Sequence, residues 1–150
     1  MRARNQNPVK TELNAVTGHL LRKAHLTGQK CFADAFAGTN ISPVQYAMLS
    51  VVSSNPGIAH KELAIAVATS ASVTTAALKP LRKEKLLLTL RGKADARSTT
   101  YRISARGGAL LKRLNKRLAL AARMLEAPLS AKEARVLRTL LAKLIDRKSS

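Results

Sequence analysis

The chain has 150 residues, 46% of them hydrophobic, enough for one domain with its own core. Aromatic residues make up only 3% and tryptophan is absent, so the core must be Leu, Ala and Val, which suits helix packing better than a β-sandwich. Lys and Arg number 27 against 8 Asp and Glu, and the net charge of +19 exceeds what solubility asks of a small domain. Such an excess points to a polyanionic partner, nucleic acid first and an anionic membrane surface second.

The single cysteine, Cys31, excludes an internal disulfide and a Cys-based zinc cluster, and fits a reducing, cytoplasmic setting. No uncharged apolar run approaches the roughly eighteen residues that a membrane span needs. The basic start, MRARNQNPVK, leads into no apolar h-region, so residues 1–8 read as a loose basic arm rather than a secretory signal.

The first predicted helix runs from about Val9 to about Phe36. Leu13, Val16, Leu20, Ala24, Cys31 and Ala35 form its stripe, and Gly18 and Gly28 weaken it. Its length suits a partner surface. Ala37-Gly38-Thr39-Asn40 ends it. The second helix opens on Ser42-Pro43-Val44-Gln45, a capping box with proline at the first helical position. It buries Tyr46, Leu49 and Val52 and stops at Ser53 to Gly57.

Two short helices follow. Lys61 to Ala68 puts Leu63, Ala64 and Val67 on one face, after Ala59, a weak cap. Thr69-Ser70 breaks the pattern, and Ser70 caps a helix from Ala71 to Lys83. Val73, Ala77 and Leu81 recur there at i, i+4, i+8, with Leu78 beside them, and Pro80 is expected to kink the last turn without ending it. Two helices joined by so short a turn predict a helix-turn-helix, whose second helix can enter a major groove. Leu86 to Arg91 and Ser98 to Ile103 read as two strands around the charged loop Gly92-Lys93-Ala94-Asp95-Ala96-Arg97, a cationic hairpin beside the reading helix.

After the hairpin, Ser104 caps a helix from about Ala105 to about Leu125 with Leu111, Leu114, Leu118 and Leu125 in its stripe. Lys112 and Lys116, like Arg113 and Arg117, set like charges one turn apart. The last helix opens on the capping box Ser130-Ala131-Lys132-Glu133. Its wide apolar face, Val136, Leu137, Leu140, Leu141, Leu144 and Ile145, needs a lid, and a second subunit would supply one.

These pieces, in this order, resemble the MarR family of bacterial transcriptional regulators. The resemblance rests on Ser42-Pro43-Val44-Gln45-Tyr46, Asn55-Pro56-Gly57, Glu62-Leu63-Ala64, Leu86-Leu87, Asp95-Ala96-Arg97 and Ile103-Ser104-Ala105-Arg106-Gly107, and spans Ser42 to about Gly108. It implies a mostly α fold with a small two-stranded β-wing, a winged helix-turn-helix over residues 42–107, and dimerisation helices over 9–37 and 105–147 that interlock between two subunits. It also implies a small organic effector, commonly phenolic or an aromatic acid, which Arg22, Lys23, His25 and Tyr46 could orient. Besides Ala59, where a capping Ser or Thr is common, and Pro80, the sequence departs from the family at two further places. Thr75 or Ala76 stands where an arginine is usual in the reading helix. Lys85 stands where a glycine usually ends it, and a lysine in the left-handed region costs roughly 1 kcal/mol, so a different ending is expected.

The expected partners are double-stranded DNA, a second copy of the chain and such an effector, with no membrane. Ser70, Ser72, Thr74 and Thr75 would present hydroxyls at the reading helix's start, Lys79 and Arg82 would meet phosphate, and Arg97 would enter a minor groove, oriented by Asp95 and flanked by Arg91 and Lys93. The alternative is a sequence-indifferent basic protein that coats nucleic acid by charge alone. No catalytic site, metal or cofactor is expected. His19, His25 and His60 lack metal-ligand spacing, the carboxylates are too sparse to pair, and no glycine-rich phosphate loop occurs.

Overall fold

Serine caps set most of the helix starts in the computed structural model, which describes residues 12–91 and 99–146. Helix α1 spans Thr17–Ala35 and α2 Pro43–Ser54; strand β1 spans Ile58–Ala59, helix α3 His60–Ala66 and α4 Ala71–Lys83. Strands β2, Leu87–Arg91, and β3, Thr99–Ile103, lead into α5, Ala105–Glu126, and α6, Ala131–Ile145. Ser42 Oγ accepts the Gln45 amide while Gln45 Oε1 accepts that of Ser42. Ser130 and Glu133 repeat the exchange at α6, where the Ser130 hydroxyl and amide hold the Glu133 carboxyl below its usual pKa. Helix α3 has only the return half: Glu62 Oε2 accepts the Ala59 amide, and alanine has nothing to give back.

Helix α1 is shorter than its hydrophobic period suggests. A 3₁₀ turn covers Glu12–Ala15, extended Val16 stands in the capping position without a capping side chain, and α1 begins only at Thr17. A stripe of apolar residues does not specify a helix start; a cap does. The sheet also differs from expectation. It has three antiparallel strands in the order β1-β3-β2, with Ile58 opposite Tyr101 and Leu87 opposite Ile103. Two residues of strand carry no period, so β1 is invisible until β3 offers it an edge.

The core joins α3, α4 and the sheet to the longer helices. Met48, Leu49 and Val52 of α2 meet Leu63 of α3, Leu78 and Leu81 of α4, Leu86, Tyr101 of β3, and Leu111 and Leu114 of α5. Truncating any one of these leucines to alanine costs roughly 2–5 kcal/mol. Helix α1 packs against α5, and its C-terminal end is fixed by two devices. Phe32 and Phe36 stack at 3.7 Å, with Tyr46 edge-on to Phe36 at 5.6 Å; the Tyr46 hydroxyl donates to Asn115 Oδ1 at 2.8 Å. Arg117 Nη1 donates to the carbonyls of Ala35 and Ala37 at 2.8 and 3.1 Å, satisfying backbone acceptors that the helix end leaves open.

Several apolar side chains of the outer helices stay open to solvent in a single chain. Leu13, Val16 and Leu20 beside the N-terminal helix, and Val136, Leu140 and Leu144 on α6, are about half exposed, and Ile145 is 80% exposed.

Candidate nucleic-acid interface

The axes of α3 and α4 turn through 103° across a break of four residues, within the range of a helix-turn-helix. Backbone hydrogen bonds make the turn. The Ala68 amide donates to Ile65 O and the Thr69 amide to Ala64 O, both at 3.0 Å, which closes α3 in a Schellman motif with Ala68 left-handed at φ 52°. Helix α4 ends the same way: Lys85 donates to Arg82 O and Leu86 to Leu81 O, both at 2.9 Å, with Lys85 at φ 56°. The expectation that Lys85 forces another ending is therefore wrong. The motif satisfies two carbonyls and buries Leu86, which outweighs roughly 1 kcal/mol of backbone strain.

That ending is locked to α5. Ser104 donates its hydroxyl to Lys85 O at 2.7 Å and its amide to Leu86 O at 3.0 Å, while Ser104 Oγ caps the Gly107 amide at 2.9 Å. Gly107 has no alternative here. A Cβ on it would stand 2.1 Å from Leu86 O. The Ile-Ser-x-x-Gly run therefore holds the end of α4, the start of β2 and α5 in one relation.

The expected reading residues fall into three groups. Ser72, Thr75, Lys79 and Arg82 are exposed and line one shallow depression on α4 together with Ala71 and Ala76. Ser70 is the cap, accepting the Val73 amide at 3.3 Å, with its Oγ 3.0 Å from Ser72 Oγ. Thr74 does not belong with them. It is 0% exposed; its hydroxyl donates to Ser70 O at 2.9 Å and lies 2.9 Å from Thr69 Oγ1, so it ties the turn and cannot reach a base. The buried face of α4 is Thr74, Leu78 and Leu81, whereas Val73, expected in the core, is 47% exposed. The helix is rotated by about one position from the face that its apolar spacing suggests, because threonine is small enough to be buried with its hydroxyl satisfied.

Arg91 ends β2, paired with Thr99. Lys93, Asp95 and Arg97, like the arm over residues 1–8, lie outside the described residues. The structure adds two residues that the sequence reading passed over. Lys83 extends the exposed cations of α4 by a turn. His60, at the start of α3, sets Nε2 3.1 Å from Thr75 Oγ1 and its ring 6.2 Å from that of Tyr101. Its helix-start position gives no hint of this, because the partner is fifteen residues away. Burial raises the Tyr101 phenol pKa, and the charge of Arg82 opposes that rise.

The proposed effector residues do not converge. A cleft of about 760 Å³ opens between α1, the end of α5 and α6, lined by His25, Leu21, Phe32, Leu125 and Leu137 and by the ion pair of Glu126 with Arg138. His25 alone of the expected set is on it; Arg22 and Lys23 are exposed, and Tyr46 is buried in the aromatic cluster with its hydroxyl engaged.

No family model and no curated protein matches the chain. Solved structures do. A probable transcriptional regulator from Pseudomonas aeruginosa is 28% identical, with a TM-score of 0.81 over 88% of this chain and 98% of that one. The transcriptional repressor CouR, solved on a 23-mer DNA duplex, is 26% identical, with a TM-score of 0.83 over 89% and 95%. The PcaV transcriptional regulator from Streptomyces coelicolor, solved with its natural ligand, is 24% identical and shares the fold, with a TM-score of 0.81 over 92% and 97%.

Proposed function

From a chain built as a winged-helix regulator of the MarR family, we propose a sequence-specific, double-stranded DNA-binding transcriptional regulator that works as a homodimer on an inverted repeat. The observation that carries this reading is the 103° turn into α4, whose outward side presents Lys79, Arg82 and Lys83 behind a small, uncharged first half. Cations there meet phosphate and position the helix; its first two turns face base edges. On this reading Arg97, which follows Lys93 and Asp95 in the charged run after Arg91, is the contact for the adjacent minor groove, best where that groove is narrow and A·T-rich. CouR, 26% identical, was solved on duplex DNA, which supports the same partner here.

The dimer rests on the bare apolar surface. Val16 and Leu20 with Val136, Leu140 and Leu144 are too many half-exposed aliphatic groups for a lone domain. A twofold partner buries them and sets the two reading helices about one helical turn, roughly 34 Å, apart. The effector, on this reading, is a small organic acid in the cleft beside His25 and Arg138, between helices that also set the spacing of the subunits. It acts only if it binds one spacing better than the other.

Footprinting on the DNA flanking the chain's own gene tests the proposal, with sedimentation equilibrium on the same preparation. The expected result is a dimer that protects two patches about 10 base pairs apart. A monomer at micromolar concentration, or even protection along the whole duplex, would overturn it in favour of the charge-driven, sequence-indifferent binder that the net charge of +19 also suits.

A further inference from the structure

The first two turns of α4 are unusual for a helix meant to read DNA. Their exposed side chains are Ala71, Ser72, Val73, Thr75 and Ala76, with no amide, carboxylate, guanidinium or ammonium among them. The hydroxyls are largely committed. Thr75 donates its proton to Ala71 O at 2.9 Å and can accept from His60 Nε2 at 3.1 Å, which leaves it no donor and exposes its γ-methyl as the uncommitted group. Thr74 is buried. Ser72 shares a hydrogen with Ser70, whose oxygen already takes the Val73 amide. Bidentate reading of guanine needs Arg or Lys and of adenine Asn or Gln, and neither set is present on these turns. Apart from the Ser72 hydroxyl, the surface that remains on these turns is methyl groups, along a shallow depression that Lys79 and Arg82 close, and the base-edge feature that matches a methyl surface in the major groove is the 5-methyl of thymine.

We propose that α4 reads its half-site by apolar contact with thymine methyls, through Ala71, Thr75 and Ala76 with Val73 at the flank, while Lys79, Arg82 and Lys83 supply sequence-independent affinity. The half-site is accordingly thymine-rich under the first turns of α4. His60 is a positioning residue, fixing the Thr75 hydroxyl so that its methyl faces outward. This inference rests on the reading above that the chain is a sequence-specific regulator.

The test separates the two. The full-length protein is selected against a random duplex library, and the enriched duplex is remade with deoxyuridine replacing thymine, which removes only the 5-methyl. Each lost methyl contact should weaken binding about fourfold, so uridine throughout both half-sites should weaken it roughly tenfold or more, while uridine outside them changes nothing. Ala76→Arg should shift the selected base beneath it toward guanine. Equal affinity for the thymine and uridine duplexes would overturn methyl reading and leave the regulator standing. No enrichment from the library would overturn the regulator, and methyl reading with it.

Discussion

Two adjacent glycines should respond to alanine with opposite signs. At Gly107 the new Cβ would sit 2.1 Å from Leu86 O, 2.9 Å from Ile103 Cγ1 and 3.0 Å from Leu86 C. A carbon approaches a carbonyl oxygen to about 3.3 Å at closest, so α5 and the Leu86 peptide must separate by about 1 Å. Neither is free to move. Leu86 donates its amide to Leu81 O in the α4 ending, and its carbonyl accepts the Ser104 amide at 3.0 Å. Overpacking of this kind costs about 1–3 kcal/mol, and a weakened bond to Ser104 adds about 1. Alanine's helix preference returns about 1 kcal/mol. The net loss is about 1–3 kcal/mol, or about 2–12 °C in Tm for a chain of this length. At Gly108, where a Cβ meets nothing within 4 Å, only the gain of up to about 1 kcal/mol remains. Urea unfolding of both variants at one protein concentration measures the difference. A Gly107→Ala protein as stable as the parent would refute the claim that Ser104 and Gly107 lock the reading helix to α5.

Three further outcomes follow from the same geometry. Lys85→Gly relieves the left-handed strain at the end of α4, against the greater unfolded-state freedom of glycine, and should stabilise by up to about 0.5 kcal/mol in the same unfolding assay; a loss would mean that the Lys85 side chain supports the motif. Thr74→Val removes a buried hydroxyl and should cost about 1 kcal/mol of stability while leaving the DNA affinity of the folded protein unchanged; a tenfold drop in affinity would return Thr74 to the interface. Arg97→Ala should weaken DNA binding and flatten the dependence of log affinity on log salt by about one unit; an unchanged slope removes Arg97 from the contacts.

Much of this architecture is legible in the sequence because its signals are local. Ser42 with Gln45, and Ser130 with Glu133, announce helix starts within four residues, and the structure puts α2 and α6 there. The alternation around Tyr101 marks β3 in the same way. What the sequence hides is held by distant partners or by side chains of double character. The Arg117 bonds to the end of α1 and the Tyr46 bond to Asn115 span 82, 80 and 69 residues, so Arg117 reads only as one more surface cation. Thr74 reads as a reading-helix hydroxyl, because nothing in its neighbours announces that Thr69 and the Ser70 carbonyl will absorb it. His60 is legible only once α3 and α4 are folded together. Lys85 shows the reverse error: local strain predicts a different helix end, and tertiary anchoring of Leu86 overrides it.

The account turns on whether this strongly basic chain discriminates among DNA sequences. Competition binding at fixed salt, with the duplex that footprints against random duplex of equal length, measures that directly. The account predicts a preference of about 10³ or more. A ratio near one, with affinity falling steeply as salt rises for both duplexes, would leave a protein that binds nucleic acid by charge alone.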